Sequence, residues 1–202
     1  MLKRLLFFLC AALFIYGVNE PKKVPGPFLS EWVVEKNSYL SISGSSNVSP
    51  FICEVKEYLL SDTLHAQWDN SKNTLQFQKS YLQIAVKRFD CNAKFMTEEF
   101  CKTLKADKCP DLIFKFVSIE VEDTKLNTQS VKTMIDISLA GVTKRLTIPM
   151  QMKKNDKSCM RLRGSHQLTF ADFNLVPPQK IAGMIKVKQE IMVNFELCFR
   201  TI

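Results

Sequence analysis

Cysteine is the residue type in this chain with the clearest capacity for chemistry. The sequence holds seven cysteines, which are Cys10, Cys53, Cys91, Cys101, Cys109, Cys159 and Cys198. Such thiols form disulfides in oxidising compartments, bind metals or act as nucleophiles. No two of them are spaced as C-x-x-C, and the chain has only two histidines, His65 and His166. We therefore predict no metal site and no cofactor.

The residue patterns of hydrolases are also missing. The chain has no G-x-S-x-G motif of the kind that presents a nucleophilic serine. Ser165 and His166 are neighbours, but successive side chains of a strand point to opposite faces, so they cannot act as a nucleophile and base unaided. His166 falls on the inward register of its strand, where it is either a hydrogen-bonded core histidine or a contact to a ligand head group. We predict that the protein is not an enzyme.

Alternating apolar and polar residues near the C-terminus predict two long strands. From Ile185 to Phe199 the apolar residues take odd positions and polar residues take most even ones, which is typical of a strand with one buried face. Met160 to Phe170 alternates in the same way, and a loop with Pro177, Pro178 and Gly183 separates the two runs. Strands of about 11 to 15 residues exceed the usual length. A sheet this tall must close into a barrel or pack on a second sheet.

The hairpin brings two cysteines close together. If Phe170 faces Ile185, the numbers of facing residues sum to about 355, and those of Cys159 and Cys198 sum to 357, so the two cysteines lie close to each other across the hairpin. Both then fall on the polar face near the open end of the hairpin. A cross-strand disulfide between them and two unpaired thiols both fit this placement.

The rest of the chain predicts more strands and one helix. Alternating runs predict strands near residues 32–34, 39–43, 51–58, 74–78, 81–87, 112–121, 131–139 and 146–152. The stretch 65–70 is predicted to be a polar connection. Met96, Phe100 and Leu104 recur at a spacing of four, with Thr97 as an N-terminal cap, which predicts a helix. The predicted fold class is all-β, an antiparallel β-barrel of about eight strands with one α-helix.

The N-terminus predicts export. Lys3 and Arg4 precede an apolar run over residues 5–18, which is shorter than the ~20 residues of a bilayer span but typical of a secretory signal. We predict a signal peptide at 1–17, a proline-containing tether at 18–30 and one barrel domain at 31–202. Removing the signal lowers the formal charge from +8 to +6, because Lys3 and Arg4 are lost. The six remaining cysteines are an even number, which permits disulfides.

The basic charge balance is compatible with a nucleic-acid or anionic-membrane partner. However, the lysines are spread along outward strand positions and through loops such as the one with Lys153, Lys154 and Lys157. The interleaved aromatic residues of a single-strand nucleic-acid binder are missing. We therefore predict a solvated barrel exterior, no nucleic-acid partner and no membrane span in the mature chain.

Several blocks of sequence resemble the YceI-like family, a group of exported, lipocalin-like bacterial proteins. The principal ones are the run from Val86 to Asn92 and LKADKCPDLIFKF from Leu104 to Phe116, with Met96 between them. Supporting blocks are SGSSNVSPFIC at 43–53, LAGVTKRLTIPM at 139–150 and LTFADFNL at 168–175. Their order and spacing cover almost the whole predicted mature chain.

The resemblance implies a lipocalin-like barrel in the periplasm or at the cell surface of a bacterium, and it suggests homodimers. The implied ligand is an isoprenoid or another amphiphilic lipid-like molecule, bound without catalysis. Cys53 and Cys91 lie in blocks similar to those of cysteine-bearing members, which implies a Cys53–Cys91 disulfide and leaves Cys101 and Cys109 as a third pair. Asn174 departs from the family pattern, which has glycine there, and this departure concerns the shape of the cavity mouth.

The inward positions of the predicted strands define the candidate ligand site. A barrel of about eight strands can hold one small ligand if its inward side chains leave room. The side chains predicted to line the interior are Phe77, Phe114, Phe116, Ile137, Leu139, Ile148, Met150, His166, Leu168, Phe170, Phe173, Ile191 and Phe195. The alternative is a secreted structural or interaction protein, a β-sandwich with a filled core that functions through its basic outer face.

Overall fold

The computed structural model describes residues 29–55, 62–123, 128–154 and 159–202. The predicted signal peptide and residues 18–28 of the tether lie outside the described residues. The strands are β1 Leu29–Val34, β2 Tyr39–Ser46, β3 Pro50–Val55, β4 Thr63–Asp69, β5 Thr74–Gln78, β6 Tyr81–Ala85, β7 Asp111–Asp123, β8 Thr128–Leu139, β9 Val142–Lys154, β10 Cys159–Thr169, β11 Gln179–Lys180 and β12 Ile185–Thr201. The helices are α1 Lys94–Thr103 and two 3-10 turns, Val86–Arg88 and Phe170–Phe173. Because β1 begins at Leu29, the barrel starts slightly before the predicted boundary at residue 31.

Eight antiparallel strands form a closed ring in the order β1, β4, β5, β7, β8, β9, β10 and β12. The ring closes because the long strand β12 has two neighbours along one edge. Its C-terminal end pairs with β1, from Thr201 opposite Trp32 to Phe199 opposite Val34, while its N-terminal part pairs with β2. The predicted all-β barrel with one helix is confirmed.

The ring is not an even barrel, because its strands do not pair along their full lengths. Strands β9 and β10 pair only over Met160–Gly164 of β10. The β2–β3 hairpin extends from β12 outside the ring, and β6 adds to β7. One end of the molecule is therefore built from β2, β3, α1 and the segment that leads into β12, rather than from ring strands alone.

The two C-terminal strands form as predicted, but their register differs. Thr169 lies opposite Glu190 and Cys159 lies opposite Arg200, whereas the predicted register paired Phe170 with Ile185. The reason is local, because the chain leaves β10 after Thr169 and enters a 3-10 turn instead of continuing the hairpin.

The candidate Cys159–Cys198 disulfide does not form, because both thiols are free. Cys159 lies opposite Arg200, and Cys198 lies opposite Arg161. The two cysteines are therefore diagonal neighbours and not a facing pair. Burial raises the pKa of the Cys198 thiol, as expected for a group that loses water around its charged form.

The third candidate pair, Cys101 with Cys109, does not form a disulfide either. Cys101 and Cys109 are both free and partly buried. The Cys101 thiol donates a hydrogen bond to the carbonyl of Val86 at 3.9 Å. Burial raises the pKa of this thiol as well.

Residues 65–70 were predicted to be a polar connection, and this prediction is wrong. Most of the stretch belongs to β4, which pairs with β1 on one side and β5 on the other. Leu64 and Ala66 are fully buried, while His65 and Gln67 between them are partly exposed. The period-two pattern is present but weak, because its apolar positions include a residue as small as Ala66.

Helix α1 forms where the spacing of its apolar residues predicts it, but its start differs from the prediction. The helix begins at Lys94, and the N-cap residue Ala93 makes no side-chain cap. Thr97 lies one turn inside the helix, where its hydroxyl accepts a hydrogen bond from the Cys91 backbone amide at 3.0 Å. Thr97 thus joins the helix to the preceding loop and does not cap it.

Candidate functional site

One end of the barrel holds a cavity of about 320 Å³ beneath α1. Its walls come from β2, β3, one face of α1, the end of β8, the 3-10 turn Phe170–Phe173 and the chain leading into β12. Most of the wall is aliphatic or aromatic, and typical lining residues are Ile42, Phe51, Phe100 and Ile191. The volume and the apolar lining fall within the range of small-molecule sites, which is about 300 to 1,000 Å³.

The other half of the barrel interior is filled by aromatic rings. The centroid of the Trp32 ring lies 5.7 Å from that of Phe77 and 5.5 Å from that of Phe199. Phe116 lies 5.6 Å from Phe77 and 6.5 Å from Phe199 by the same measure. Rings at such distances pack edge to face or tilted, which is a favourable arrangement. None of these four rings borders the cavity beneath α1.

The predicted lining residues divide between the cavity and the packed core. Those that border the cavity are Leu139, Phe170, Phe173 and Ile191. Those that pack elsewhere in the core are Phe77, Phe114, Phe116, Ile137, Ile148, Met150, Leu168 and Phe195. His166 is half-buried opposite Val193 and does not border the cavity. Strand alternation identifies the inner face of a strand, but it does not show how deep along the barrel a hollow lies.

Helix α1 contributes lining residues that strand patterns could not identify. Phe95, Met96, Glu99, Phe100 and Thr103 all border the cavity. Their spacing of three and four places them along one side of a helix. The apolar spacing that predicts α1 also marks this face, but no sequence pattern shows what the face covers.

A disulfide joins β3 to the loop before α1. Cys53 and Cys91 are bonded across 38 residues of sequence, which confirms the pairing that the family resemblance implies. Glu54 and Asp90 exchange two backbone hydrogen bonds next to it, at 2.9 and 3.0 Å. Since Cys53 also borders the cavity, the disulfide fixes the start of α1 to the cavity wall.

The 3-10 turn Phe170–Phe173 places two aromatic rings in the wall. The Asp172 amide donates to the Thr169 hydroxyl at 3.2 Å, and the Thr169 amide donates back to the Asp172 carboxylate at 2.7 Å. Lys144 of β9 donates to the same carboxylate at 2.7 Å. Together, Lys144 first and then Thr169 lower the pKa of Asp172 to about 2. The turn ends at Asn174, whose φ of 52° is left-handed, and asparagine tolerates this conformation better than most residues other than glycine.

We expect Asp172→Asn to lower the free energy of unfolding by about 1 kcal/mol at pH 7. This value allows for solvent screening of the charge, because the Asp172 side chain is 31% exposed. Because the folded-state pKa lies below the ordinary value of 3.8, the charged carboxylate stabilises the protein above that value. This contribution is lost as the pH falls from about 4 to 2. Urea denaturation at pH 7 and pH 2.5 checks the prediction. The difference between wild type and variant should shrink at the lower pH, whereas the exposed control Asp107→Asn should change little at either pH.

An ion pair lies at the mouth of the cavity. The Lys180 ammonium lies 2.5 Å from the Glu99 carboxylate and 5.5 Å from the centroid of the Phe95 ring. Lys180 belongs to β11 and Glu99 to α1, so the pair crosses the mouth. Lys180 and Glu99 are the charged residues among those lining the described cavity. The site therefore combines a largely apolar wall, which also includes a few hydroxyl side chains, with one charged pair.

The described residues contain no group of three or more His, Cys, Asp or Glu side chains placed to bind a metal ion. A second hollow of about 590 Å³ has a more polar lining, which includes Glu122, Arg163 and Glu196, and Met150 and Phe195 border it. No helix in the described part of the chain is long and apolar enough to span a membrane.

Comparison with known proteins agrees with this architecture. A family model described as YceI-like domain matches residues 37–199. A polyisoprenoid binding domain from Saccharophagus degradans has a TM-score of 0.60 at 11% identity, covering 86% of this chain and 99% of that one. BcnA of Burkholderia cenocepacia has a TM-score of 0.56 at 16% identity, covering 80% and 95% respectively.

A mutant YceI protein from Campylobacter jejuni has a TM-score of 0.50 at 16% identity, covering 71% of this chain and 83% of that one. Among curated proteins, none matches the chain. The structural likenesses establish the shared fold, and the family match spans well over half of the sequence. This protein is therefore a member of the YceI-like family.

Proposed function

We propose that this protein binds the apolar chain of an isoprenoid or another amphiphilic lipid in the cavity beneath α1, without catalysis. The observation that supports this most directly is the cavity of about 320 Å³, whose wall is apolar and whose charged lining residues form one ion pair at the mouth. A structural relative of this chain is a polyisoprenoid binding domain, which supports the same class of ligand.

The size of the cavity bears on how the ligand is held. About 320 Å³ is roughly ten times the volume that a water molecule occupies in the liquid. Each buried methylene group contributes about 0.8 kcal/mol to binding, so a chain filling the cavity needs no strong polar contact. A long isoprenoid would place one part of its chain in the cavity and leave the rest at the mouth. The flexible Met96 side chain in the wall allows chains of different shape to fit.

The positions of the ionisable groups support a binding role. His166 does not border the cavity. His65 lies on β4 and faces Glu31 at 3.6 Å, on the outer surface of the ring. Within the described lining, Glu99 is paired with Lys180 and Cys53 is held in a disulfide. None of these groups is placed as a nucleophile beside a base, as covalent catalysis requires.

The disulfide supports an exported protein, because disulfides persist in oxidising compartments such as the bacterial periplasm or the cell surface. The signal peptide at 1–17 and the suggested homodimer remain predictions.

Organic extraction of the purified protein followed by mass spectrometry tests the proposal. We expect a co-purifying isoprenoid or fatty amphiphile, and saturable binding of an apolar fluorescent probe after its removal. An empty extract together with no probe binding would favour the filled-core interaction protein instead. Ester or phosphoester turnover that is abolished by His166→Ala would contradict the non-catalytic role.

A further inference from the structure

Among the described residues, five large apolar side chains are exposed around the mouth of the cavity. They are Val48, Phe95, Val176, Ile181 and Met184, with 69, 61, 78, 64 and 70% of their surface exposed. We call these residues the apolar rim. Single exposed apolar residues are ordinary on protein surfaces, but a cluster of them marks an interaction site.

Contacts place the rim residues around one opening. Val48, Phe95 and Ile181 all border the same cavity, although they lie on the β2–β3 turn, α1 and the chain after β11. Next to Val48, the Asn47 side-chain amide donates to the carbonyl of Met184 at 2.8 Å. These hydrogen-bonded segments bring distant parts of the sequence to one end of the barrel.

Val176 lies in the same region, because its neighbours in the chain border the cavity. Leu175 and Pro178 both border the cavity, while Val176 between them is exposed. Val176 and Met184 do not themselves border the cavity. They extend the apolar surface outward from the mouth and are not needed to form the wall.

The segments that supply the rim have an excess of positive charge. Residues 46–50, 94–103 and 174–188 contain five lysines and two glutamates. One of these glutamates, Glu99, is paired with Lys180. Lys186 and Lys188 are exposed at the start of β12, and the stretch 174–188 contains no acidic residue. Apolar side chains at loop tips flanked by lysines are typical of surfaces that insert into an interface rich in anionic head groups.

We propose that the apolar rim docks on a bilayer that contains anionic phospholipid and so places the cavity mouth against the membrane. This inference rests on the proposed function, because it explains how a ligand with little solubility in water reaches the cavity. In the docked state the rim side chains enter the head-group region and the flanking lysines contact lipid phosphates. The chain of the ligand then passes from the bilayer into the apolar wall without crossing water.

Flotation of the full chain with phospholipid vesicles tests the docking. We expect binding to phosphatidylcholine vesicles that contain phosphatidylglycerol, and weaker binding to phosphatidylcholine alone. The double variant Val176→Glu, Met184→Glu should bind anionic vesicles at least tenfold more weakly. Ile202→Glu is the control for placing a glutamate at an exposed apolar position, because Ile202 is also 70% exposed but lies beyond the opposite end of the 17-residue strand β12. All variants share one N-terminal segment, so its contribution cancels in the comparison.

Two lysine variants test the electrostatic contribution to membrane docking. Lys186→Glu and Lys188→Glu should each weaken binding to anionic vesicles roughly fivefold, and the effect should fall as salt is added. Lys154→Glu, an exposed lysine on β9, is the control for general charge and should change binding less.

The outcomes separate the docking from the proposed function. If the rim double variant loses vesicle binding but still binds the apolar probe in solution, both hold. If wild type does not float with anionic vesicles, or the rim variant floats equally well, the docking is wrong even where probe binding persists. Flotation without any probe binding would contradict ligand binding in the cavity but would still support docking on the membrane. Rim-dependent self-association in light scattering, without flotation, would show a protein contact and overturn the membrane assignment.

Discussion

Replacing Val187 with tryptophan is expected to weaken the binding of an apolar ligand about a hundredfold while the protein stays folded. Val187 is half-buried in β12 and borders the cavity. An indole ring there would occupy space that the ligand chain needs. Excluding about four methylene groups of ligand costs about 3 kcal/mol, or two orders of magnitude in Kd. Tryptophan is well accommodated in strands, so β12 should form as before.

Titration with an apolar fluorescent probe measures this effect. The matched control is Lys188→Trp, which makes the same substitution at the next position of the strand, where the side chain is exposed. This control should keep the affinity of the wild type, and thermal unfolding should show that both variants fold. Equal probe affinity in Val187→Trp and the wild type would show that the cavity beneath α1 is not where the ligand binds.

Removing the disulfide by Cys53→Ala together with Cys91→Ala is expected to lower the free energy of unfolding by about 4 kcal/mol. The bond closes a loop of 38 residues, and such a closure reduces the conformational entropy of the unfolded chain by about that amount. We also expect weaker probe binding, because the start of α1 would no longer be tied to the cavity wall at Cys53.

Urea denaturation of the double variant and of the wild type, with and without a thiol reductant, checks this prediction. Reductant should bring the wild type to the stability of the double variant and leave the variant unchanged. The control, Cys101→Ala with Cys109→Ala, removes two free thiols and should respond to reductant as the wild type does. A wild type whose stability does not change on reduction would contradict the structural role of the bond.

The sequence predicts the class of fold well because strand alternation is a local property. The long strands β10 and β12 are predicted because polar and apolar side chains alternate between a solvent-exposed and a buried face. Helix α1 is predicted because its apolar residues recur at a spacing of four. The stretch 65–70 shows the limit of this reasoning. Its alternation depends on a residue as small as Ala66, and only pairing with β1 and β5 makes it a strand.

The register of the C-terminal strands could not be predicted from the pattern. A shift by an even number of residues keeps every side chain on its face, so alternation alone does not distinguish the two registers. The 3-10 turn after Thr169 decides between them. Neither register places Cys198 directly opposite Cys159, whereas the Cys53–Cys91 pairing was implied by likeness to the family.

What the sequence by itself determined is the barrel class, the helix, the inward faces of the strands and membership of a family. Only the tertiary structure decided where the interior is empty. The rings of Trp32, Phe77, Phe116 and Phe199 come from four separate strands and fill one half of the barrel. Helix α1 and the chain before β12 enclose the other half. A cavity is what remains after distant side chains have packed against one another, and that packing has no local signature in the sequence.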